Sequence, residues 1–378
     1  MFDIDKFVFI DNHAHSLLKK YRELDEIGFR QSFSESKSLS ILKDHLPQSV
    51  HYIDMVEHLV KLFNVKTEEE FLSFRSEQPA TLFVKMLWDA VSIGALIVDD
   101  GFASGETMSL DELARISGRP IYHCLRLEPL MEASLLAADS LEEACKNFEM
   151  KLFPQGQPKA IGLKSICGYR GGLQLLNPSK EEARNDFAVL KKSLGDSRTL
   201  RLTKRPVYHF MLLKAFEIAA QHAVPVQIHT GIGDDDANLI DCNPALMQDL
   251  FRSQTLAKTS FVLLHCFPYL HEAAFMCSLY GNVYMDLSLS MSLASPRAAR
   301  LVGDALSLAP ASKILAGTDG HSSPESHWYG ALCWKRGLTL SVHEMINANS
   351  LTQRKAEELC ALILHDNAIK LYQLEGLA

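Results

Sequence analysis

Six side chains able to bind a metal ion or move a proton stand in or close behind short apolar runs of this chain. His13 and His15 follow Phe7-Val8-Phe9-Ile10-Asp11-Asn12, and Lys164 lies in Ile161-Gly162-Leu163-Lys164-Ser165-Ile166. His229 closes Val226-Gln227-Ile228, His265 closes Phe261-Val262-Leu263-Leu264, and Asp319 closes Ile314-Leu315-Ala316-Gly317-Thr318. Side chains at i and i+2 of a strand share a face, so His13 and His15 can reach one ion from a single rigid element. Imidazole nitrogens with one carboxylate suit a borderline divalent cation, Zn²⁺ first, with Mn²⁺, Fe²⁺ or Ni²⁺ compatible. A lone H-x-H arises readily by chance among 15 histidines. The same motif followed by His, His and Asp at three later run ends is a specific signal. Each residue also has a plainer reading. His13 and His15 could be turn residues, His229 and His265 core histidines bonded to backbone carbonyls, Asp319 a helix N-cap, and Lys164 a salt-bridge partner.

The elements that must carry these residues read as alternating strands and helices. Apolar, β-branched runs at residues 7–11, 95–98, 121–125, 160–166, 224–229, 261–265, 283–286 and 314–319 fit strands buried on both faces. Helical text separates most of them, at 141–152, 210–222, 244–251, 270–279 and 296–308. Between the first two runs, residues 17–90 are helical in pattern. Ile53, Val56, Leu59, Val60 and Phe63 recur at i, i+3 and i+4, and Pro79 opens a further helix. Eight βα repeats predict a parallel (β/α)8 barrel with an α-helical insertion after strand 1, in a single domain over 1–378. Its active site is then expected at the C-terminal ends of the strands. An open doubly wound sheet is the competitor, but no G-x-G-x-x-G loop follows the first strand.

Composition narrows the function. Of 378 residues, 38 are Lys or Arg and 46 are Asp or Glu, a formal net charge of −8 with no basic block. Nucleic-acid and anionic-membrane partners are therefore not expected. No run approaches the roughly 20 apolar residues of a membrane span, and the first residues lack a secretory pattern. A cytoplasmic protein acting on a small molecule is expected, with homo-oligomeric assembly. The eight cysteines show no C-x-x-C spacing and read as reduced, buried thiols.

The strand-end set resembles the amidohydrolase superfamily of metal-dependent barrel enzymes. More narrowly, Asp11-Asn12-His13-Ala14-His15, Gly162-Leu163-Lys164-Ser165-Ile166, Tyr169-Arg170, Ile228-His229-Thr230-Gly231 with Asn243-Pro244, and Thr318-Asp319-Gly320-His321 resemble its amidohydrolase-related branch. That branch includes the domain fused to glutamine-synthetase-like domains in some plants and fungi; at 378 residues the stand-alone form is expected. The resemblance implies His13, His15 and Asp319 as metal ligands, with His229 and His265 as ligands or close to the metal. Lys164 matches a lysine that some members carboxylate to bridge two ions, so one or two ions remain open.

On this reading the cation activates water and polarises a carbonyl, while Asp319 takes and returns the proton. His265 or His229, where not a ligand, orients the carbonyl. Arg170 is a candidate for bidentate binding of a substrate carboxylate, or else a rim salt bridge; Tyr169 faces substrate or packs at the rim. Asp234-Asp235-Asp236 reads as a solvated charge run, and His321 and Glu325 as supporting groups or helix-start polarity. The expected activity is hydrolysis of a C–N bond, with C–O subordinate, in a small polar substrate that can carry a carboxylate. Uronate-isomerase-like or decarboxylase-like chemistry on the same site is the alternative, and a non-catalytic metal-binding barrel is the third reading.

Overall fold

The computed structural model describes residues 3–102, 105–154, 160–195 and 197–374. Among these, eight strands form one sheet in sequence order: β1 (Phe9–Ala14), β2 (Ile93–Asp99), β3 (Ile121–Arg126), β4 (Gly162–Ser165), β5 (Val226–His229), β6 (Phe261–Leu264), β7 (Val283–Asp286) and β8 (Ile314–Leu315). The expected (β/α)8 barrel is the architecture observed. The short strands β4, β5, β6 and β8 are fully buried, as strands covered on both faces must be, and carry Lys164, Gln227 and His229 among their apolar residues. The intervening helices match the sequence pattern closely. Leu141–Leu152 and Leu270–Leu279 fall where predicted, and Pro206–Gln221 starts four residues earlier because Pro206 occupies its first turn.

The chain divides into two compact units. The first comprises the described residues of Met1–Tyr122, Ile232–Asp235 and Asp286–Ala378. In it β1 pairs β2 in parallel, with Phe9 opposite Ile93 and Asp11 opposite Leu96. On its other side β1 receives the chain leaving β8: Asn12 N donates to Ala316 O at 2.9 Å, Asp319 N to His13 O at 2.8 Å and His15 N to Gly320 O at 2.7 Å. The insertion after β1 holds helices α1 (Glu26–Gln31), α2 (Val50–Phe63), α3 (Glu68–Glu77) and α4 (Ala80–Asp89). Phe29, Phe63, Phe71 and Phe83 pack against one another at centroid distances of 5.5–6.3 Å, giving it an aromatic core. An ion pair fastens it to the helix Pro324–Asn347: Arg75 Nε donates to Glu325 Oε1 at 2.5 Å, with both side chains buried.

The second unit comprises the described residues of His123–Gly231 and Asp236–Met285. Its strands run parallel in register, Arg126 opposite Lys164, Lys164 opposite Gln227 and His229 opposite Leu264. All eight cysteines are buried thiols outside any disulfide, as their spacing predicts. No helix among the described residues is long and apolar enough to cross a membrane.

Candidate active site

In the first unit, β1 and the segment after β8 bring three of the predicted residues together. His13 Nε2 lies 3.0 Å and His15 Nε2 3.3 Å from the same oxygen, Asp319 Oδ1. The two imidazoles stand nearly perpendicular, 5.0 Å between centroids, as i and i+2 side chains on one strand face can. Backbone geometry fixes the third member. Asp319 takes a left-handed φ of 53° while its N–H bonds His13 O, which delivers its carboxylate to the end of β1. That conformation is uncommon for a residue with a Cβ and clusters at functional sites.

A supporting layer determines how these groups can act. His15 Nδ1 sits 2.9 Å from the carbonyl oxygen of Asp99, at the end of β2. A carbonyl only accepts, so Nδ1 donates and the neutral ring turns its Nε2 lone pair towards Asp319 Oδ1. Two lone-pair atoms 3.3 Å apart repel unless a cation lies between them or a proton is added. The donor set therefore fits a divalent metal ion held by nitrogen and carboxylate ligands. Beneath it, Asp11 Oδ2 accepts from Thr318 Oγ1 at 2.5 Å, and Asp11 Oδ1 accepts from Thr318 N at 2.9 Å and His13 N at 3.3 Å. Burial pushes the Asp11 carboxyl up to about 8 despite these bonds. Asn12 Nδ2 donates to Asp286 Oδ2 at 2.8 Å, while its Oδ1 accepts from Tyr372 OH at 2.9 Å.

In the second unit the predicted residues form another group. His229 Nδ1 and His265 Nε2 are 3.1 Å apart, so one ring donates to the other. Tyr169 packs its ring 4.3 Å from that of His229. His265 and Cys266 have φ of 65° and 62°, two consecutive left-handed residues immediately after β6. Gly231 follows β5 at φ 71°, where a Cβ would stand 2.1 Å from Phe267 O, so only glycine fits that turn. Lys164 is buried at 1% exposure within β4. Arg170, in the turn after β4, is also buried; its Nη2 is 3.6 Å from Glu132 Oε1, and its Nε and Nη1 find no partner among the described residues.

Some neighbours were not foreseen. Asp235 and Asp236 are surface ion-pair partners of Lys37 and Arg201, as a charge run should be, whereas Asp234 hydrogen-bonds Glu35. Glu325 does lie in the first turn of its helix but is buried against Arg75. His321 is pushed down to about 4 by burial and stays neutral. Glu128, absent from the sequence-based candidates, is fully buried and accepts on Oε1 from Ser165 Oγ, Ile166 N and Tyr208 OH. Its position in a mixed helix, 37 residues from Ser165, gave no periodic or motif signal.

Comparison with known proteins bears on the fold and on the resemblance. An amidohydrolase family model matches residues 194–374. Protein fluG of Emericella nidulans is 25% identical over 401 residues, covering 97% of this chain; the chain spans 45% of that protein's length. A structure from Lactobacillus casei, assigned as a metal-dependent hydrolase, superposes with a TM-score of 0.86 at 26% identity, covering 98% of this chain and 96% of that one. A uronate isomerase from Thermotoga maritima shares the fold, with a TM-score of 0.67 at 15% identity over 97% and 95% of the two chains. The resemblance carried by the strand-end residues is borne out: the C-terminal half of the chain matches an amidohydrolase model, and the whole chain is similar to a structure assigned as a metal-dependent hydrolase.

Proposed function

We propose that this protein is a metal-dependent hydrolase that cleaves a C–N bond of a small polar substrate bearing a carboxylate. The observation that carries the reading is the convergence of His13 Nε2 and His15 Nε2 on Asp319 Oδ1. His13, His15 and Asp319 would hold the ion, zinc first, with His229 and His265 as further ligands or as groups that orient the scissile carbonyl. When bound, a divalent cation supplies Lewis acidity, activating water and polarising that carbonyl. Asp319 accepts the proton of the attacking water and returns it to the departing nitrogen, which leaves as a neutral amine. Arg170 receives the substrate carboxylate. Its two buried, unpartnered N–H nitrogens support this role, because such donors are costly unless a ligand satisfies them.

Lys164 is proposed as a carboxylated ligand of a second ion. Burial at 1% exposure supports this, since near bound divalent ions an anionic carbamate would be easier to hold there than an ammonium. Intact-mass and elemental analysis of protein purified in bicarbonate decide it: two ions per chain and a labile 44 Da adduct are expected (the mass of CO₂), against one ion and unmodified lysine.

The function is tested with Asp319→Asn, which keeps the size and one acceptor oxygen but removes the base. Turnover of an amide or amine-releasing substrate panel should fall on the order of 10²–10⁴-fold. His13→Ala should instead lose the metal itself. An active Asp319→Asn enzyme with an unchanged pH profile would overturn the proton-carrier role. Aldose–ketose interconversion or carbon dioxide release by the wild type, without hydrolysis, would replace the hydrolase reading.

A further inference from the structure

Behind β4, in the second unit, lies a buried carboxyl group that takes no part in the chemistry assigned so far. Glu128 stands in the first turn of the helix Leu127–Ala137, which follows β3, and is completely buried. Its Oε1 accepts from Ser165 Oγ at 2.7 Å, from Ile166 N at 3.0 Å and from Tyr208 OH at 2.9 Å. Ser165 follows Lys164 directly along β4, so the two side chains point to opposite faces of the sheet. Glu128 therefore acts on the strand from the face that Lys164 does not use.

Two of these bonds bear on Arg170. Ile166 follows β4 and leads into the turn Cys167–Arg170. The N–H of Ile166 goes to Glu128, and that of Cys167 goes at 3.2 Å to Ser165 Oγ, whose own proton goes to Glu128. Both donors at the entry of the turn are thus anchored on one oxygen, directly or through one hydroxyl. The exit is fixed separately: Gly172 has φ 98° and a Cβ there would stand 2.7 Å from Asp241 Cβ, while Leu173 N donates to Asp241 O at 2.8 Å. One helical turn beyond Glu128, the same helix meets the head of Arg170. Glu132 Oε1 accepts from Leu202 N at 2.8 Å and lies 3.6 Å from Arg170 Nη2. Residues i and i+4 of a helix share a face. Two carboxyls on one rigid element therefore hold the backbone and the guanidinium of a single arginine.

We propose that Glu128 is the positioning residue for Arg170, fixing the turn that presents Arg170 Nε and Nη1 to a carboxylate group of the substrate. The inference rests on the reading of Arg170 as the receptor of that carboxylate. Both nitrogens are buried without a partner among the described residues. A guanidinium recognises a carboxylate bidentately only when its planar fork is held at one place and in one orientation. An unrestrained arginine loses much of that gain to the entropy of ordering a long side chain. Glu128 supplies the restraint without touching the substrate. The acceptor oxygen does the holding: all three bonds converge on Oε1, and Oε2 has no partner among the described residues. Glutamine keeps such an oxygen, and leucine does not.

The test uses the full-length, metal-loaded protein with isotope-labelled arginine and follows the side-chain Nε–H resonances by NMR. The resonance missing from Arg170→Met belongs to Arg170. In Glu128→Leu that resonance should move and its proton should exchange at least ten-fold faster. Ser165→Ala should do the same to a smaller extent, and it serves where Glu128→Leu fails to fold. Glu128→Gln and Tyr208→Phe should retain the wild-type signal. Calorimetry with propionate and propionamide supplies a second readout. The preference for propionate should fall at least ten-fold in Glu128→Leu, and this loss should vanish once Arg170→Met is present. An unmoved Arg170 signal in Glu128→Leu and Ser165→Ala overturns the proposal. So does an equal disturbance by Tyr208→Phe, which would mark general packing, and so does a Glu128→Gln protein that behaves like Glu128→Leu. Loss of metal from Glu128→Leu would make Glu128 a ligand and overturn it too. If Arg170→Met binds propionate as wild type does while Glu128→Leu still displaces the Arg170 signal, the carboxylate reading fails and the positioning of Arg170 stands.

Discussion

Arg75→Met isolates the contact that ties the helical insertion to the helix that follows β8. Arg75 and Glu325 are 1% and 0% exposed, and their Nε–Oε1 separation is 2.5 Å. The guanidinium also lies 5.4 Å from the ring centroids of both Tyr21 and Phe29. Methionine keeps most of the apolar stem and leaves the Glu325 carboxylate buried without its cation. Breaking one side of such a pair costs about 3–5 kcal/mol, mostly the penalty of the uncompensated charge. Loss of the two ring contacts adds about 0.5–1 kcal/mol each. A second change, Glu325→Met, removes the orphaned charge, so the double variant should recover to within about 1–2 kcal/mol of wild type. Urea denaturation followed by tryptophan fluorescence is a suitable assay, because Trp88, Trp328 and Trp334 are the three tryptophans of the chain and all belong to the first unit. A loss below about 1 kcal/mol in Arg75→Met, or a double variant no more stable than the single, would refute the reasoning.

Two other perturbations probe the second unit. Gly231→Ala places a Cβ 2.1 Å from Phe267 O at a φ of 71°; the conformation alone costs about 1–2 kcal/mol, and relief of the clash should disturb the 3.1 Å His229–His265 contact. Imidazole NMR shifts identical to wild type would contradict this. His209 accepts from Leu176 N at 2.7 Å through Nδ1, and burial pushes its pKa down to about 4. The unfolded chain gains this proton below about 6.5 while the folded chain resists until about 4, so stability is lost as pH falls through that window. The loss approaches on the order of 3 kcal/mol. His209→Asn keeps an acceptor and should flatten the acid limb of a urea-midpoint profile; an unaltered limb rules His209 out.

The strands and the residues at their ends were legible because both follow from local pattern. A strand covered on two faces is an unbroken apolar run, and a polar residue that closes such a run must have a use. β8 was harder to read, since its regular ladder stops at Leu315 and the six-residue run continues as irregular backbone bonded to β1. What the sequence hid were pairings made at long range. Glu325 has the position of a helix-start acid, and only Arg75, 250 residues away in sequence, turns it into half of a buried ion pair. Glu35 stands in a serine-rich stretch without periodicity, and its surroundings are set by Asp234 and Asp319, which reach it from distant parts of the chain.

Asp11 shows why such hidden residues matter as much as the ligands. It lies two residues before His13 on the same strand, where the alternation of side chains permits it to face the barrel interior. Its two oxygens collect Thr318 N, Thr318 Oγ1 and His13 N, which are groups on the two backbone segments that must meet for His13 Nε2 to reach Asp319 Oδ1. Oδ1 alone spans both segments, and Oδ2 adds the bond from Thr318 Oγ1, in a carboxyl that burial pushes up to about 8. If these side chains hold an ion as proposed, keeping them in place beforehand lowers the ordering cost of metal binding. The left-handed φ of Asp319 is the strain this arrangement sustains: Thr318 is pinned by Asp11 on one side, and Gly320 N by Thr318 Oγ1 on the other. The carboxylate proposed to carry the proton is therefore fixed by its neighbours' backbone bonds, and its side chain is left to serve the ion and the substrate.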